Sequence, residues 1–144
     1  MRGALGIGMN LAELTNDELE FSKKQIAFYK KIRPIIAEGD LYRLASTSDQ
    51  GHFDMSVWQV VLPDRSRCVY SFVMLQQLLG HYTPFFRLKG LDPKAVYHLT
   101  DSLEQDLGSY SGSQLMSLGL PGDQFSGGGA NAVRSRTILL DRID

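Results

Sequence analysis

A chain of 144 residues that is 43% apolar has enough hydrophobic material for one packed domain, or for a small domain with an appendage. Fifteen basic and sixteen acidic residues give a formal charge of −1 with no long basic run, so the electrostatic footprint of a nucleic-acid binder is missing. The single cysteine, Cys68, excludes an internal disulfide and leans towards a cytoplasmic location; no long apolar run marks a membrane span, and no charged leader marks export.

In chain order, Met1 to Leu14 is glycine-rich, with Gly3, Gly6 and Gly8 in the order G-x-x-G-x-G. A dinucleotide loop needs G-x-G-x-x-G between a strand and a helix, so turning backbone is the plainer reading. Thr15 and Glu18 have the spacing of a capping box and start a helix. Its apolar positions Leu19, Ile26, Phe28, Tyr29, Ile32, Ile35 and Ile36 form a wide stripe that requires a partner surface. Lys23, Lys24, Lys30, Lys31 and Arg33 occupy the other side as a solvated face. Pro34 is expected to kink this helix, and Gly39 to stop it in the left-handed conformation.

After Gly39 the pattern changes from period 3.6 to period 2, the one convincing boundary in the chain. Leu41 to Ser46 reads as a short strand and Thr47 to Asp54 as a polar loop containing Gly51. Met55 to Leu75 is two β-branched and aromatic runs flanking Pro63-Asp64-Arg65-Ser66, the signature of a β-hairpin. Val57, Gln59 and Val61 share one face and Trp58, Val60 and Leu62 the other; Tyr70, Phe72 and Met74 oppose Val69, Ser71, Val73 and Leu75. Apolar residues on both faces place the hairpin inside a larger sheet. A loop through Gly80 and Pro84 leads to Phe85-Phe86-Arg87-Leu88, then a turn at Leu91 to Lys94, then a strand from Ala95 to Thr100. From Asp101 the signals weaken, although Ser111-Gly112-Ser113 can cap one helical turn carrying Leu115, Met116, Leu118 and Leu120. Gly127-Gly128-Gly129 lacks the following Lys-Ser or Lys-Thr of a phosphate loop, and Arg134 to Ile143 alternates as a final strand. Short strands at this spacing predict a mainly β fold with one N-terminal helix, an antiparallel sandwich or barrel.

Chemistry is harder to find. His52, His81 and His98 are scattered, with no spacing for a metal, and Cys68 lies in an apolar strand with no base beside it. No G-x-S-x-G elbow is present. Asp40, Asp49, Asp54, Asp64, Asp92 and Asp123 fall mostly in predicted turns, where an aspartate bonds its own backbone. Trp58 is able to stack on a sugar ring, but a lone tryptophan in an alternating strand is more often core. No catalytic, cofactor-binding or metal-ligating residue is assigned, and no cofactor is expected.

Several stretches together carry a resemblance. MRGALGIGMNL with QIAFYKKIRPIIAEGDLYRL resembles the end of the catalytic barrel and its final helix in family-36 glycoside hydrolases, the bacterial α-galactosidases or melibiases. WQVVLPDRSRCVYSFV, RLKGLDPKAVYHL and SGSQLMSLGL are similar to strands of that family's C-terminal domain, in the same order. The resemblance implies a Greek-key-like antiparallel β-sandwich over residues 40–144, preceded over residues 1–39 by the last strand-end and helix of a (β/α)8 barrel. It implies that both catalytic aspartates lie in barrel segments preceding Met1, so this part is a non-catalytic, inactive accessory domain. Met1 to Asn10 would lie near the active-site rim, where Arg2 replaces a smaller residue. The parent would hydrolyse terminal α-galactosides of the raffinose and melibiose type with retention. Its partner would be the catalytic barrel, which the helix stripe would cover. Without the barrel the stripe is exposed, or covered by the sandwich or a second copy, and a homo-oligomer is expected. The alternatives are a carbohydrate-binding module and a stand-alone interaction protein; neither nucleic acid nor membrane is expected as a partner.

Overall fold

The computed structural model describes residues 8, 10–46, 53–77, 85–121 and 134–144. A 3-10 turn at Leu11–Glu13, capped by the Asn10 side chain on the Ala12 N–H, precedes helix α1 (Asn16–Glu38). Strands β1 (Asp40–Ala45), β2 (Phe53–Val61) and β3 (Arg67–Gln77) follow as a meander, then β4 (Phe85–Phe86), β5 (Val96–Asp101), β6 (Asp106–Ser111), helix α2 (Gly112–Ser117), β7 (Leu120–Pro121) and β8 (Arg134–Arg142). A six-stranded sheet has the order β1-β2-β3-β8-β5-β6, and β4 pairs with β7 as a separate two-stranded ribbon. Every pairing is antiparallel. The expected sandwich is thus asymmetric: the second layer is the ribbon together with α2.

The period-2 pattern decides which side chains meet. Val57, Val61, Cys68, Tyr70, Phe72 and Met74 point to the inner face, where Phe86, Leu88, Leu115 and Leu120 of the second layer cover them. The Phe72 and Phe86 rings sit 6.0 Å apart at 43°, a tilted aromatic contact. Val60, Val69 and Leu139 point to the outer face and are covered by Phe28, Ile32 and Ile35 of α1. Those three helix residues lie at the i, i+4, i+7 spacing, and burying each contributes about 1.5–3 kcal/mol. The expected hairpin has its predicted faces, and β2 and β3 are both interior strands.

The hairpin turn closes through the Arg65 N–H donating to the Leu62 carbonyl at 2.8 Å, while the Asp64 carboxylate accepts from the Ser66 hydroxyl and N–H. The capping box at Thr15 and Glu18 is formed in both directions, and a second one joins Ser111 to Gln114 at the start of α2. In α1 the helix continues through Pro34, which lies with Lys30 on the exposed side where solvent reaches the carbonyl that proline leaves unpaired.

Three sequence expectations change. Gly39 ends α1 as expected, but in extended backbone at φ −87° and not in the left-handed conformation. Its requirement is space: a Cβ there would lie 2.7 Å from the Ile35 carbonyl oxygen, 2.8 Å from that of Val61 and 2.6 Å from the Val60 side chain. Phe53 and Asp54, read as loop, belong to β2; residues 47–52 lie outside the described residues, as do Gly80, Pro84 and the Gly127–Gly129 run. Beyond Asp101, β6 and β7 were not anticipated. The burial pattern of β6 is mostly exposed and β7 has two residues, so neither leaves an alternating signal.

Two outcomes follow from this packing. Gly39→Ala forces backbone apart at the α1–β1 junction and is expected to lower unfolding stability by about 1–3 kcal/mol in urea titration; an unchanged midpoint contradicts the close approach. Burial pushes the Cys68 thiol and the Tyr70 phenol well above their ordinary ranges. Each holds its proton longer folded than unfolded, so its stabilisation is complete below the unfolded pKa and is lost as pH rises. Stability should therefore fall above about pH 8.5 by about 1.4 kcal/mol per pH unit, and more steeply above about pH 10 where tyrosine joins. Cys68→Ala should delay the onset to the tyrosine range.

Candidate functional site

The polar groups of the fold divide into those that hold backbone and those that face an opening. Gln59 is fully buried on the inner face, where its amide accepts from the Lys89 N–H at 3.0 Å and donates to the Lys89 carbonyl. It thereby acts as one rung of a ladder, fastening the segment after β4 to the centre of β2. Asp101, also buried, accepts from the N–H groups of Leu103 and Gln105 and pairs with Arg136 at 2.7 Å. Arg136 also donates to Gln105, so this ion pair fixes the β5–β6 turn. Gln25 of α1 donates to the Ser102 carbonyl in the same turn, and Lys31 lies 3.5 Å from Glu104.

At the hairpin end of the sheet, the Tyr97 hydroxyl donates to the Arg65 carbonyl at 2.8 Å and accepts from the Asp92 N–H at 3.0 Å. The Asp92 carboxyl is held below its ordinary range first by the Lys94 N–H and then by the charges of Arg142 and Arg65. Asp64 is held down likewise, by the Ser66 hydroxyl and then the Ser66 N–H. Asp64 and Asp92 thus have the turn-bonding role that their positions imply. The Asp49 and Asp123 positions lie outside the described residues.

Cys68 is buried, and burial is what moves its thiol. Its raised thiol pKa leaves it without thiolate near neutral pH. His98 contacts the Ser109 hydroxyl through Nδ1 and lies 3.7 Å from Asp106, while His52 and His81 are not among the described residues. Among the described residues no group of three His, Cys, Asp or Glu side chains is arranged to hold a metal ion, and no helix is long and apolar enough to cross a membrane. Lys23, Lys24, Lys30, Lys31 and Arg33 are all exposed.

Tyr70 and Phe72 are buried in the inner core, whereas Trp58 on the outer face is half-buried. One side of it packs on the α1 cluster, and it also lines an open cleft with Arg43, Ala45, Ser46, Ser56 and Val57. Sequence reading had no means of pairing Trp58 with Arg43, since the register of β1 against β2 depends on the loop between them. Gln59 was legible in principle as a polar residue on an otherwise apolar face, which demands a buried partner.

The sequence profile described as "Glycosyl hydrolase family 36 C-terminal domain" matches residues 55–140. Among curated proteins, a probable alpha-galactosidase C from Aspergillus flavus is 37% identical over 123 residues, covering 83% of this chain and 15% of that protein. The bifunctional alpha-galactosidase/sucrose kinase AgaSK of Mediterraneibacter gnavus is 35% identical over 127 residues, covering 88% of this chain and 13% of that protein. Among solved structures, the GH36 alpha-galactosidase AgaB from Geobacillus stearothermophilus superposes with a TM-score of 0.74 at 28% identity, over 92% of this chain and 17% of that one. A variant of AgaA from the same organism, in complex with stachyose, gives a TM-score of 0.75 at 27% identity, over 94% of this chain and 17% of that one. The chain therefore spans about 15% of the length of the curated relatives it matches. The profile covers more than half of the chain and the solved relatives superpose on nearly all of it, and the chain belongs to glycoside hydrolase family 36, of which it carries the C-terminal domain.

Proposed function

We propose that this chain serves as the accessory, non-catalytic domain of an α-galactosidase whose remainder holds the reacting groups. The observation that supports this most directly is the match of residues 55–140 to the family's C-terminal domain. The parent reaction is hydrolysis of terminal α-galactosides with retention, which requires a nucleophilic carboxylate and an acid/base carboxylate about 5–5.5 Å apart. The carboxylates described above are spent on backbone: Asp64 and Asp92 on turns, Asp101 on the β5–β6 turn and Arg136. A carboxylate saturated by N–H groups and a guanidinium neither attacks an anomeric carbon nor delivers a proton to a leaving group.

In this reading residues 1–39 are the end of the catalytic barrel and residues 40–144 the C-terminal domain, with α1 shared between them. The sheet takes Phe28, Ile32 and Ile35, the centre of the apolar stripe for which the resemblance implied the barrel as cover. What remains outward is Phe21, 55% exposed, beside Leu14. Along α1, the same packing leaves that end as the surface for a second copy.

Two measurements test this. The chain alone should release no chromophore from a chromogenic α-galactoside, and joined to a relative's catalytic part that lacks its own C-terminal domain it should restore soluble, active enzyme. Hydrolysis by the chain alone would overturn the accessory role. For self-association, sedimentation equilibrium should show a mass that rises with concentration and returns to the monomer value in Phe21→Lys; a monomer at every concentration rejects the homo-oligomer.

A further inference from the structure

The outer face of the large sheet is only partly covered by α1. At the far end of β1 and β2 from the hairpin turn it opens into a cleft of about 310 Å³ lined by Arg43, Ser46, Ser56 and Trp58, with Ala45 and Val57 beneath. That volume falls at the lower end of the roughly 300–1,000 Å³ typical of small-molecule sites. Arg43 and Trp58 are direct cross-strand partners, and Ser56 lies two residues before Trp58 on the same face of β2. The register of β1 shifts between Arg43 and Ala45, a bulge in an edge strand. Such bulges re-aim side chains and recur beside binding sites.

The chemistry of these groups is selective. Trp58 is the chain's single tryptophan; it is half-buried with one side on the α1 cluster, so its position is fixed by packing while part of it lines the cleft. None of the ion pairs among the described residues includes Arg43, and it is exposed. A guanidinium presents five N–H donors in a rigid fork. Ser56 adds an exposed hydroxyl. A purely apolar ligand would desolvate Arg43 without bonding it, and a small anion would make no use of the indole. A neutral ring with one C–H-lined face and a rim of adjacent hydroxyls uses both.

We infer that the Arg43–Trp58 cleft is a binding site for a galactosyl ring of an oligosaccharide, serving to hold substrate on the accessory domain. The galactosyl assignment rests on the proposed α-galactosidase role. The axial hydroxyl of galactose leaves one ring face lined by C–H groups, which stacks on the electron-rich indole face. The adjacent hydroxyls on the other side of the ring's rim accept from Arg43, and Ser56 bonds a third. No bond is made or broken. Binding at an open, edge-strand site of this size is weak, and its use is to raise local substrate concentration through a second point of attachment.

Because Trp58 is the only indole, its emission reports the site directly. Titration of the 144-residue chain with raffinose and with stachyose is expected to give a saturable change in Trp58 fluorescence. Arg43→Ala should weaken the half-saturation concentration at least tenfold, and Arg43→Lys, which keeps the charge but loses the fork, several-fold; circular dichroism should show both variants folded, since Arg43 is exposed. A strictly linear response up to the solubility of the sugars overturns the inference. So does saturation that Arg43→Ala leaves unchanged, which places the sugar elsewhere, and an equal response to maltotriose overturns the galactosyl assignment. Silence in the titration combined with restored enzyme activity on fusion to a catalytic part would defeat this site alone and leave the accessory role standing.

Discussion

The structure depends on one constraint: the central strands β2, β3 and β8 must be buried on both faces at once. A strand offers side chains alternately to its two sides, so an apolar residue at every position requires two covering layers. Here α1 supplies one, through Phe28, Ile32 and Ile35, and the β4–β7 ribbon, the segment after β4 and α2 supply the other, through Phe86, Leu88, Leu115 and Leu120. Removing either layer would expose a row of valine, leucine and aromatic side chains in the middle of a sheet. The helix is therefore as integral to the sheet as any strand, although by sequence it lies across the only clear change of pattern in the chain.

The edges are governed by polar contacts instead. Gln59 ties the segment after β4 to the core, Asp101 and Arg136 set the β5–β6 turn, and Tyr97 bridges the hairpin turn to the Asp92 turn. A buried ion pair contributes little net stability against a well-packed apolar alternative, because desolvation offsets the attraction, but breaking one partner of it is costly. Its effect here is on geometry. Asp101 holds the turn that Gln25 and Lys31 of α1 meet, so the same cluster that shapes β5–β6 also sets where the helix lies. The Tyr70 hydroxyl is the exception: it is buried without a partner among the described residues, and nothing in the surrounding packing explains it.

An accessory role is consistent with where the polar groups are committed. Asp64 and Asp92 are engaged in turns, Asp101 in the β5–β6 turn and its pair with Arg136, and the thiol is buried. Arg43 beside Trp58 sits where the edge strand bulges, in a cleft that no α1 residue lines. Rigid β structure beneath a partly fixed indole is suited to recognition, because little ordering accompanies binding.

Much of the architecture was legible in the sequence because it depends on local rules. The capping box at Thr15, the hairpin turn at Pro63 to Ser66, the two faces of β2 and β3 and the alternation of β8 follow from short-range bonding and side-chain direction. The stretches from FYKKIRP to SGSQLMSLGL carried the family. The tertiary structure alone decided what pairs over distance: β8 inserts between β3 and β5, Gln59 finds Lys89, Asp101 finds Arg136, and Arg43 stands beside Trp58. It also decided that Gly39 is needed for close approach to Val61 and not for a left-handed turn, and that the helix stripe belongs first to the sheet. The physical reason is common to all of these. Backbone propensity and periodicity act over one or two turns of chain, whereas register, burial and contact between distant segments are settled only when whole faces compete for the same cover.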